Sequence, residues 1–344
     1  MIKVRESIKR LEEYNVGGRR NLSSEWECFD WNESEFPPSN KVFDVVKRFY
    51  RYERYPDVST SNLKENLSKY TSVSEDFIEV YNGSDDALKD IFTVFVDKDT
   101  QVLSYQPSYT QVDTFITTNT DNYERVQIED PLGKHKYDFN HCRYTDVVYL
   151  VNPNNPTGKL LDPKEIEQLI TSLPNVLFVV DEAYYEFAKQ SCCHLVVSNK
   201  NLIITRTFSK AFGLAAVRLG YIIAHPDLLV HLRKFRNGKS VNALAQLCGV
   251  ACLNDLDYLD FCISEMNDAK KFFMDNLPNQ YQAVESSANF VLVKTPDSKT
   301  VLNKMKENKI LIRDRSSFEN LENCVRITIG SKKQIIKILD VFNK

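Results

Sequence analysis

From about residue 77 the chain alternates short apolar, β-branched runs with longer amphipathic stretches. The runs at 78–81, 101–105, 125–128, 146–151, 177–181, 201–205 and 219–224 read as strands. Helical patterns fit between most of them. One opens at Asp162-Pro163-Lys164-Glu165, with a cap residue, a first-turn proline and a reciprocal acid. Strands alternating with helices predict an α/β fold: a mostly parallel sheet of seven strands sandwiched by helices. Beyond residue 240 the pattern changes. Helices dominate to about 275, residues 289–294, 310–313 and 325–329 read as strands, and a last helix begins near 331, which makes a smaller C-terminal α+β domain. Upstream, residues 1–13 read as a short amphipathic helix broken by Gly17 and Gly18. Residues 41–52 read as a helix with Val42, Val45, Val46 and Phe49 on one face, and 61–70 as another. The division expected is an N-terminal arm and substrate loop over 1–40, a large domain over 41–238 and a small domain over 239–344. No flexible linker separates the two domains, so they must be interleaved or joined by a helix.

The length of 344 residues suits about two domains at roughly 150 residues each. With 42% hydrophobic and 26% charged residues there is material for a sizeable core. A net charge of −3 provides no global field for nucleic acid or an anionic membrane. No apolar run reaches a membrane span, and the N-terminus lacks the apolar core of a signal peptide. The eight cysteines are scattered without a CxxC pair, and the five histidines show no ligand spacing. These features predict a cytoplasmic protein with reduced thiols and no metal site.

The residues that could do chemistry fall where predicted strands end, which is where open α/β sheets bind ligands. Lys210 follows the 201–205 run within Thr207-Phe208-Ser209-Lys210-Ala211-Phe212-Gly213, and Arg218 lies eight residues on. Gly83-Ser84-Asp85-Asp86 follows 78–81 and opens a helix. Ser84 or Asp85 there could be only an N-cap, or the helix end could offer its N–H groups to a phosphate. Asn152-Pro-Asn-Asn-Pro-Thr-Gly158 follows 146–151 and is more elaborate than a turn requires. Asp181 closes 177–181 just before Tyr184, as a helix cap or as a carboxylate kept in a dry cleft for a cation. An amine (Lys210), an acid (Asp181), a phenol (Tyr184), an amide (Asn155) and a phosphate clamp (Ser84, Ser209, Arg218) together suit pyridoxal 5'-phosphate. That cofactor needs a lysine for a Schiff base, an acid at its ring nitrogen, donors to its phenolic oxygen and anion donors at its phosphate.

These motifs, with Trp31-Asn-Glu-Ser-Glu-Phe-Pro37, Arg54-Tyr55-Pro56-Asp57, Pro107-Ser-Tyr109, Asn289-Phe290, Arg313-Asp314 and Arg326-Ile-Thr-Ile-Gly330, run almost end to end. The chain resembles the fold-type I pyridoxal-phosphate-dependent aminotransferases, and within them the histidinol-phosphate aminotransferases. The resemblance implies that Lys210 carries the cofactor and shuttles a proton. Asp181 would pair with the ring nitrogen, Asn155 and Tyr184 would hold the phenolic oxygen, and Tyr109 would stack on the ring. Ser84, Asp85, Ser209 and Arg218 would hold the phosphate, with Tyr55 reaching it from the other subunit of a homodimer. Arg326 would grip a substrate carboxylate and Arg313 a substrate phosphate, and Tyr14 and Asn32 would line the substrate pocket. Taken alone, Arg326 and Arg313 read as outward-facing strand residues, Tyr109 and Tyr55 as packing aromatics, and Tyr14 and Asn32 as surface loop residues. The pattern departs from the family at Ser34, which stands where an asparagine is usual, and over Arg236-Asn-Gly-Lys-Ser-Val-Asn242. Both regions face the substrate in relatives.

The activity implied is a ping-pong transfer of an amino group between glutamate/2-oxoglutarate and a small phosphorylated or anionic oxo compound, with histidinol phosphate as the leading case. Decarboxylation of a phosphorylated amino acid, transamination of aromatic amino acids, and an idle binding protein on the same fold are the alternatives.

Overall fold

The structure, a computed structural model, describes residues 2–13, 19 and 22–344. The chain opens with α1 (Glu6–Lys9), β1 (Glu27–Phe29), α2 (Asn40–Arg48) and α3 (Ser61–Thr71). There follow β2 (Ile78–Tyr81), α4 (Ser84–Phe95), β3 (Val102–Gln106), α5 (Gln111–Thr117), β4 (Tyr123–Gln127), β5 (Val147–Val151), α6 (Pro163–Ser172), β6 (Leu177–Asp181), α7 (Tyr185–Ala188), β7 (Leu202–Thr207), β8 (Gly220–Ala224) and α8 (Pro226–Phe235). The remainder is α9 (Ala243–Leu253), α10 (Leu256–Asn276), β9 (Gln282–Ala283), β10 (Phe290–Lys294), α11 (Ser298–Glu307), β11 (Ile310–Asp314), β12 (Cys324–Thr328) and α12 (Lys332–Phe342).

Seven strands form the first sheet, in the order β2-β8-β7-β6-β5-β3-β4. It is mostly parallel, and β8 runs antiparallel to both its neighbours. Its central strands are apolar on both faces because helices cover both. Val148, Leu150, Phe178, Val180, Leu202 and Ile204 face a core built with α3, α6 and α9. Their alternates Val147, Tyr149, Val151, Val179 and Ile203 face α4, α5 and α8. The expected α/β class therefore holds.

A second sheet has the order β1-β11-β12-β10-β9. Helices cover one face, where Val291, Val293, Ile312, Val325 and Ile327 pack against α10, α11 and α12. The long α10 serves both cores, with Leu259 and Ile263 in the first and Met266, Ala269 and Phe273 in the second.

Two local expectations need correction, and one strand was not anticipated. Only Glu6–Lys9 is helical among described residues 2–13, and none of its side chains is buried. So short a segment has no packing to offset its nucleation cost. The helix expected over 41–52 stops at Arg48, with Phe43 and Val46 left exposed. The strand β1 gave no period-2 signal in three residues; it exists because Cys28 and Phe29 find Leu311 and Ile312 across a parallel ladder.

Glu79 on β2 is fully buried and meets Lys64 at 2.9 Å, Arg233 at 2.7 Å and Arg236 at 2.8 Å. Burial by itself would raise its pKa, but Lys64 and the two arginines hold it below the usual carboxylate range. Its contribution to stability is thus present above the unfolded-state pKa and fades as the pH falls through the lower folded value. Glu79→Ala would leave Lys64 and Arg236, both largely shielded from water, and the exposed Arg233 without their carboxylate, so we expect a loss of about 2 kcal/mol at neutral pH. Urea unfolding should show a lower midpoint, with the gap from wild type narrowing in acid.

Candidate active site

The parallel strands deliver their C-terminal ends to one edge of the first sheet. A cavity of about 540 Å³ opens there, lined on the sheet side by Ser84, Asp85, Tyr109, Asn155, Asp181, Tyr184, Ser209, Lys210 and Arg218. The second sheet contributes Arg313, Arg315 and Arg326, and the arm contributes Asp30 to Glu33. The structure thus brings together every residue singled out in the sequence except two. Tyr55 is exposed on the surface, with Lys239 Nζ 4.3 Å from its ring centre, and does not line this cavity. Tyr14 lies outside the described residues.

Asp181 is buried at the floor of its strand end, 3% exposed. Its carboxylate accepts from the Tyr149 hydroxyl at 2.9 Å, the Thr205 hydroxyl at 3.0 Å and the Ala183 N–H at 3.1 Å. Burial nevertheless raises its pKa to about 6, because those bonds only partly replace water. Among the described residues it makes no ion pair with a cation. Tyr149 and Thr205 are functional neighbours that the sequence analysis missed. The available signal was the tyrosine in the otherwise aliphatic β5 and a threonine that closes the aliphatic part of β7, in register with Asp181.

Lys210 lies just beyond β7. Its Nζ donates to the Trp31 carbonyl at 2.8 Å and sits 6.0 Å from the centre of the Tyr184 ring. Burial, and then the nearby Arg326 charge, lower its pKa to about 8.

At the other end of the cavity, α4 begins at Ser84 after Gly83, and no side chain caps it. The N-cap reading of Ser84 and Asp85 is therefore not what the structure shows. They are the first helical residues, at an end whose N–H groups carry partial positive charge. Gly83 has φ +88°, and a Cβ there would lie 2.8 Å from the Arg218 guanidinium. Gly220 on β8 is equally constrained, since a Cβ would lie 2.6 Å from the Ser84 nitrogen. Both glycines let the helix end and Arg218 share one place. Arg218 donates to Ser209 Oγ at 3.5 Å, close to Asp85 Oδ2 at the same distance, and the Tyr109 hydroxyl donates to Asp85 at 2.8 Å.

The 152–158 loop divides its amides by role. Asn152 exchanges bonds with the backbone of Leu161, and Asn154 donates to the Pro107 carbonyl and to Thr157, so these two hold the loop. The amide oxygen of Asn155 is left for the cavity, where it accepts from Arg326 at 2.6 Å. Arg326 also donates to the Asp30 carbonyl, while its Nε is buried without a partner. Burial lowers its pKa to about 10. The period of two along β12 explains the placement. Val325 and Ile327 turn to the helices, and Arg326 and Thr328 turn to the cavity. Asn32, with φ +54°, donates from its side chain to the Tyr184 hydroxyl at 2.9 Å and from its N–H to Thr328 at 3.0 Å.

This donor set fits pyridoxal phosphate at both ends: an uncapped helix terminus with Ser209 and Arg218 for a phosphate, and a buried acid lacking a cation for a ring nitrogen. Among the described residues no cluster of His, Cys, Asp or Glu could hold a metal ion, and no helix is long and apolar enough to cross a membrane.

Comparison with known proteins agrees. The chain belongs to the aminotransferase class I and II family, whose model matches residues 27–342, and is accordingly a pyridoxal-phosphate-dependent transaminase. It is 37% identical over 324 residues to a dihydroxyacetone phosphate transaminase of Campylobacter jejuni, covering 89% of this chain and 86% of that one. It is 30% identical to a histidinol-phosphate aminotransferase of Syntrophotalea carbinolica, covering 98% and 97%. The fold matches a crystal structure of histidinol-phosphate aminotransferase from Sinorhizobium meliloti in complex with pyridoxal-5'-phosphate. That match has a TM-score of 0.84 at 23% identity, over 92% of this chain and 91% of the other.

A lysine with a lowered pKa should react early. Peptide mapping after brief treatment with a small acylating reagent should show the Lys210 peptide half-modified near pH 8, about two units below exposed lysines. A midpoint at the value of exposed lysines would contradict the burial described here.

Proposed function

We propose that this transaminase moves an amino group between glutamate/2-oxoglutarate and a small phosphorylated oxo compound. The observation that carries the reading is the set of arginines, Arg313, Arg315 and Arg326, facing the same cavity as Lys210. Guanidinium forks suit phosphate and carboxylate. The two kinds of relative compared above share a phosphate ester in the compound each is named for. The greater identity to the dihydroxyacetone phosphate transaminase makes a phosphorylated ketone the first substrate to try, ahead of histidinol phosphate.

In this reading the cofactor, once bound, withdraws electrons from the bonds at the substrate's α-carbon. The chain's own residues do the rest. The N–H groups at Ser84 and Asp85, the Ser209 hydroxyl and Arg218 hold the cofactor phosphate. Asp181 keeps a proton on the ring nitrogen, and Tyr149 and Thr205 keep Asp181 in place. Asn155 and Tyr184 hold the phenolic oxygen, and Tyr109 covers a ring face. Lys210 anchors the cofactor and takes and returns a proton at Nζ; a pKa of about 8 leaves both its forms populated near neutrality. Arg326 holds a substrate carboxylate and Arg313 the substrate phosphate, beside Asn32. We also infer a homodimer in which Tyr55 reaches the other subunit's site. In support, Tyr50, Tyr52 and Tyr55 are all more than 70% exposed on the single chain, beside exposed Phe43 and Val58.

Purified protein supplied with pyridoxal phosphate should be yellow, and with glutamate and dihydroxyacetone phosphate should form 2-oxoglutarate. Lys210→Ala should lose the covalent attachment of the cofactor, read as label fixed to the protein by borohydride, and at least about a thousandfold in turnover, and Asp181→Ala about a hundredfold or more in turnover. Because Asp181 is an anion only above about pH 6, cofactor uptake by the apoprotein, followed by absorbance, should weaken as pH falls through that value. Carbon dioxide released from phosphorylated amino acids without 2-oxoglutarate-dependent turnover would make the protein a decarboxylase instead. Near-full activity in Asp181→Ala would remove the acid from its assigned role.

A further inference from the structure

The charges lining the cavity are unevenly satisfied. Each acid has local partners. Asp30 and Glu33 bind Arg19 at 2.7 and 2.6 Å, Asp85 lies 3.5 Å from Arg218, and Asp181 accepts from Tyr149, Thr205 and Ala183. The arginines of the second sheet do not share this arrangement. Among the described residues no carboxylate forms an ion pair with Arg313, Arg315 or Arg326. Arg313 and Arg326 are direct cross-strand partners in the β11–β12 ladder, a placement at which like charges repel. Arg315 adds a third. Its N–H donates to the Cys324 carbonyl at 2.9 Å, continuing the ladder one step past β11, and two residues along a strand return to the same face. Its side chain lines the cavity beside Arg313, with Nε buried and without a hydrogen-bond partner. Burial, then the Arg326 and Arg313 charges, push its pKa well below the usual arginine range, so the cation is destabilised where it stands. An anion placed between these groups would relieve all three strains at once.

We propose that Arg315 is a specificity-determining residue: with Arg313 it receives the phosphate of the substrate, and its added charge favours a doubly charged phosphate ester over a singly charged carboxylate. This rests on reading the protein as a transaminase of phosphorylated oxo compounds. The division of labour follows from the donors. Arg326 already spends bonds on Asn155 and the Asp30 carbonyl and offers a fork suited to a carboxylate. Among the described residues the guanidinium groups of Arg313 and Arg315 make no hydrogen bond, Arg315 Cζ lying 5.8 Å from the Phe318 ring centre, and a phosphate has three terminal oxygens to accept from both. A carboxylate has two oxygens and half the charge, so it gains less from the third guanidinium.

The test uses the pyridoxal-phosphate-loaded enzyme, Arg315→Gln and Arg315→Lys, each checked for wild-type cofactor absorbance and melting temperature. Two quantities are read, with the rate of the glutamate half-reaction itself as the reference. The first is inhibition by inorganic phosphate of the glutamate half-reaction, followed by the change in cofactor absorbance. The second is kcat/KM for dihydroxyacetone phosphate. Arg315→Gln should raise the phosphate inhibition constant about 30-fold and lower kcat/KM for the phosphorylated ketone about 100-fold, while the glutamate half-reaction slows less than about 5-fold. Arg315→Lys should recover part of both losses, since it restores the charge without the fork. Equal losses for glutamate and the phosphorylated ketone, or unchanged phosphate inhibition, would overturn the proposal. If Arg315→Gln fails the folding checks, Arg315→Met, of similar reach and without charge, decides by the same readings: phosphate inhibition and ketone kcat/KM both at wild-type values refute the proposal, and a selective loss supports it. Should the wild type turn over no phosphorylated oxo compound yet lose phosphate inhibition in Arg315→Gln, the anion site stands and the functional reading fails. Ketone turnover that survives Arg315→Gln intact does the opposite: the functional reading stands and the role of Arg315 falls.

Discussion

Arg326, with Asn32 beside it, ties the two halves of the site together. Arg326 rises from the second sheet and donates to Asn155 on a loop of the first and to the Asp30 carbonyl on the arm. The two sheets share no ladder, and their cores meet through α10, through Phe187, and where Ala183 and Tyr184 pack on Ala288 and Phe290. The shape of the cavity follows in part from this buried cation on β12 finding hydrogen bonds in two segments far from it in sequence. A charge in that position is tolerable only when hydrogen-bonded, so it dictates where the arm, the 152–158 loop and β12 must meet.

Around that junction the electrostatics have a direction. Acids are satisfied by groups of their own neighbourhood, as Asp181 is by Tyr149, Thr205 and Ala183. The positive groups of β11 and β12 are not, and the uncapped end of α4 adds further positive potential across the cavity. The result is a site with room for anions at two ends and an amine of lowered pKa between them. Chemistry that draws on an amine, an insulated acid and two anion-holding ends needs that order of parts, and the parallel sheet supplies it by ending neighbouring strands at one edge.

Much of this was legible along the chain. Ile78–Tyr81 and Leu177–Asp181 could be bounded to the residue, because both strands are buried on two faces and end in abrupt changes of polarity. Lys210, Asp181, Asn155 and Arg218 could be chosen because each follows such a run. Other features left weaker marks. Tyr149 interrupts an aliphatic strand, Thr205 begins the polar end of β7, and Arg315 stands one strand period beyond Arg313, none of which marks a site by itself. The helix expected near the N-terminus shrank to Glu6–Lys9, since an amphipathic pattern stabilises a helix only where a surface covers its apolar side.

The linear order of residues was enough to set the periods: which runs are strands, which faces are apolar, and hence an α/β sheet with chemistry at its C-terminal edge. Those are local properties, governed by side chains a few residues apart. Three other features had to wait for the folded chain: Arg326 points inward rather than to solvent, α4 begins without a cap, and β1 joins β11. Each depends on a partner remote in the chain or on which face of a strand another element covers, and no short window of residues contains both members of such a pair.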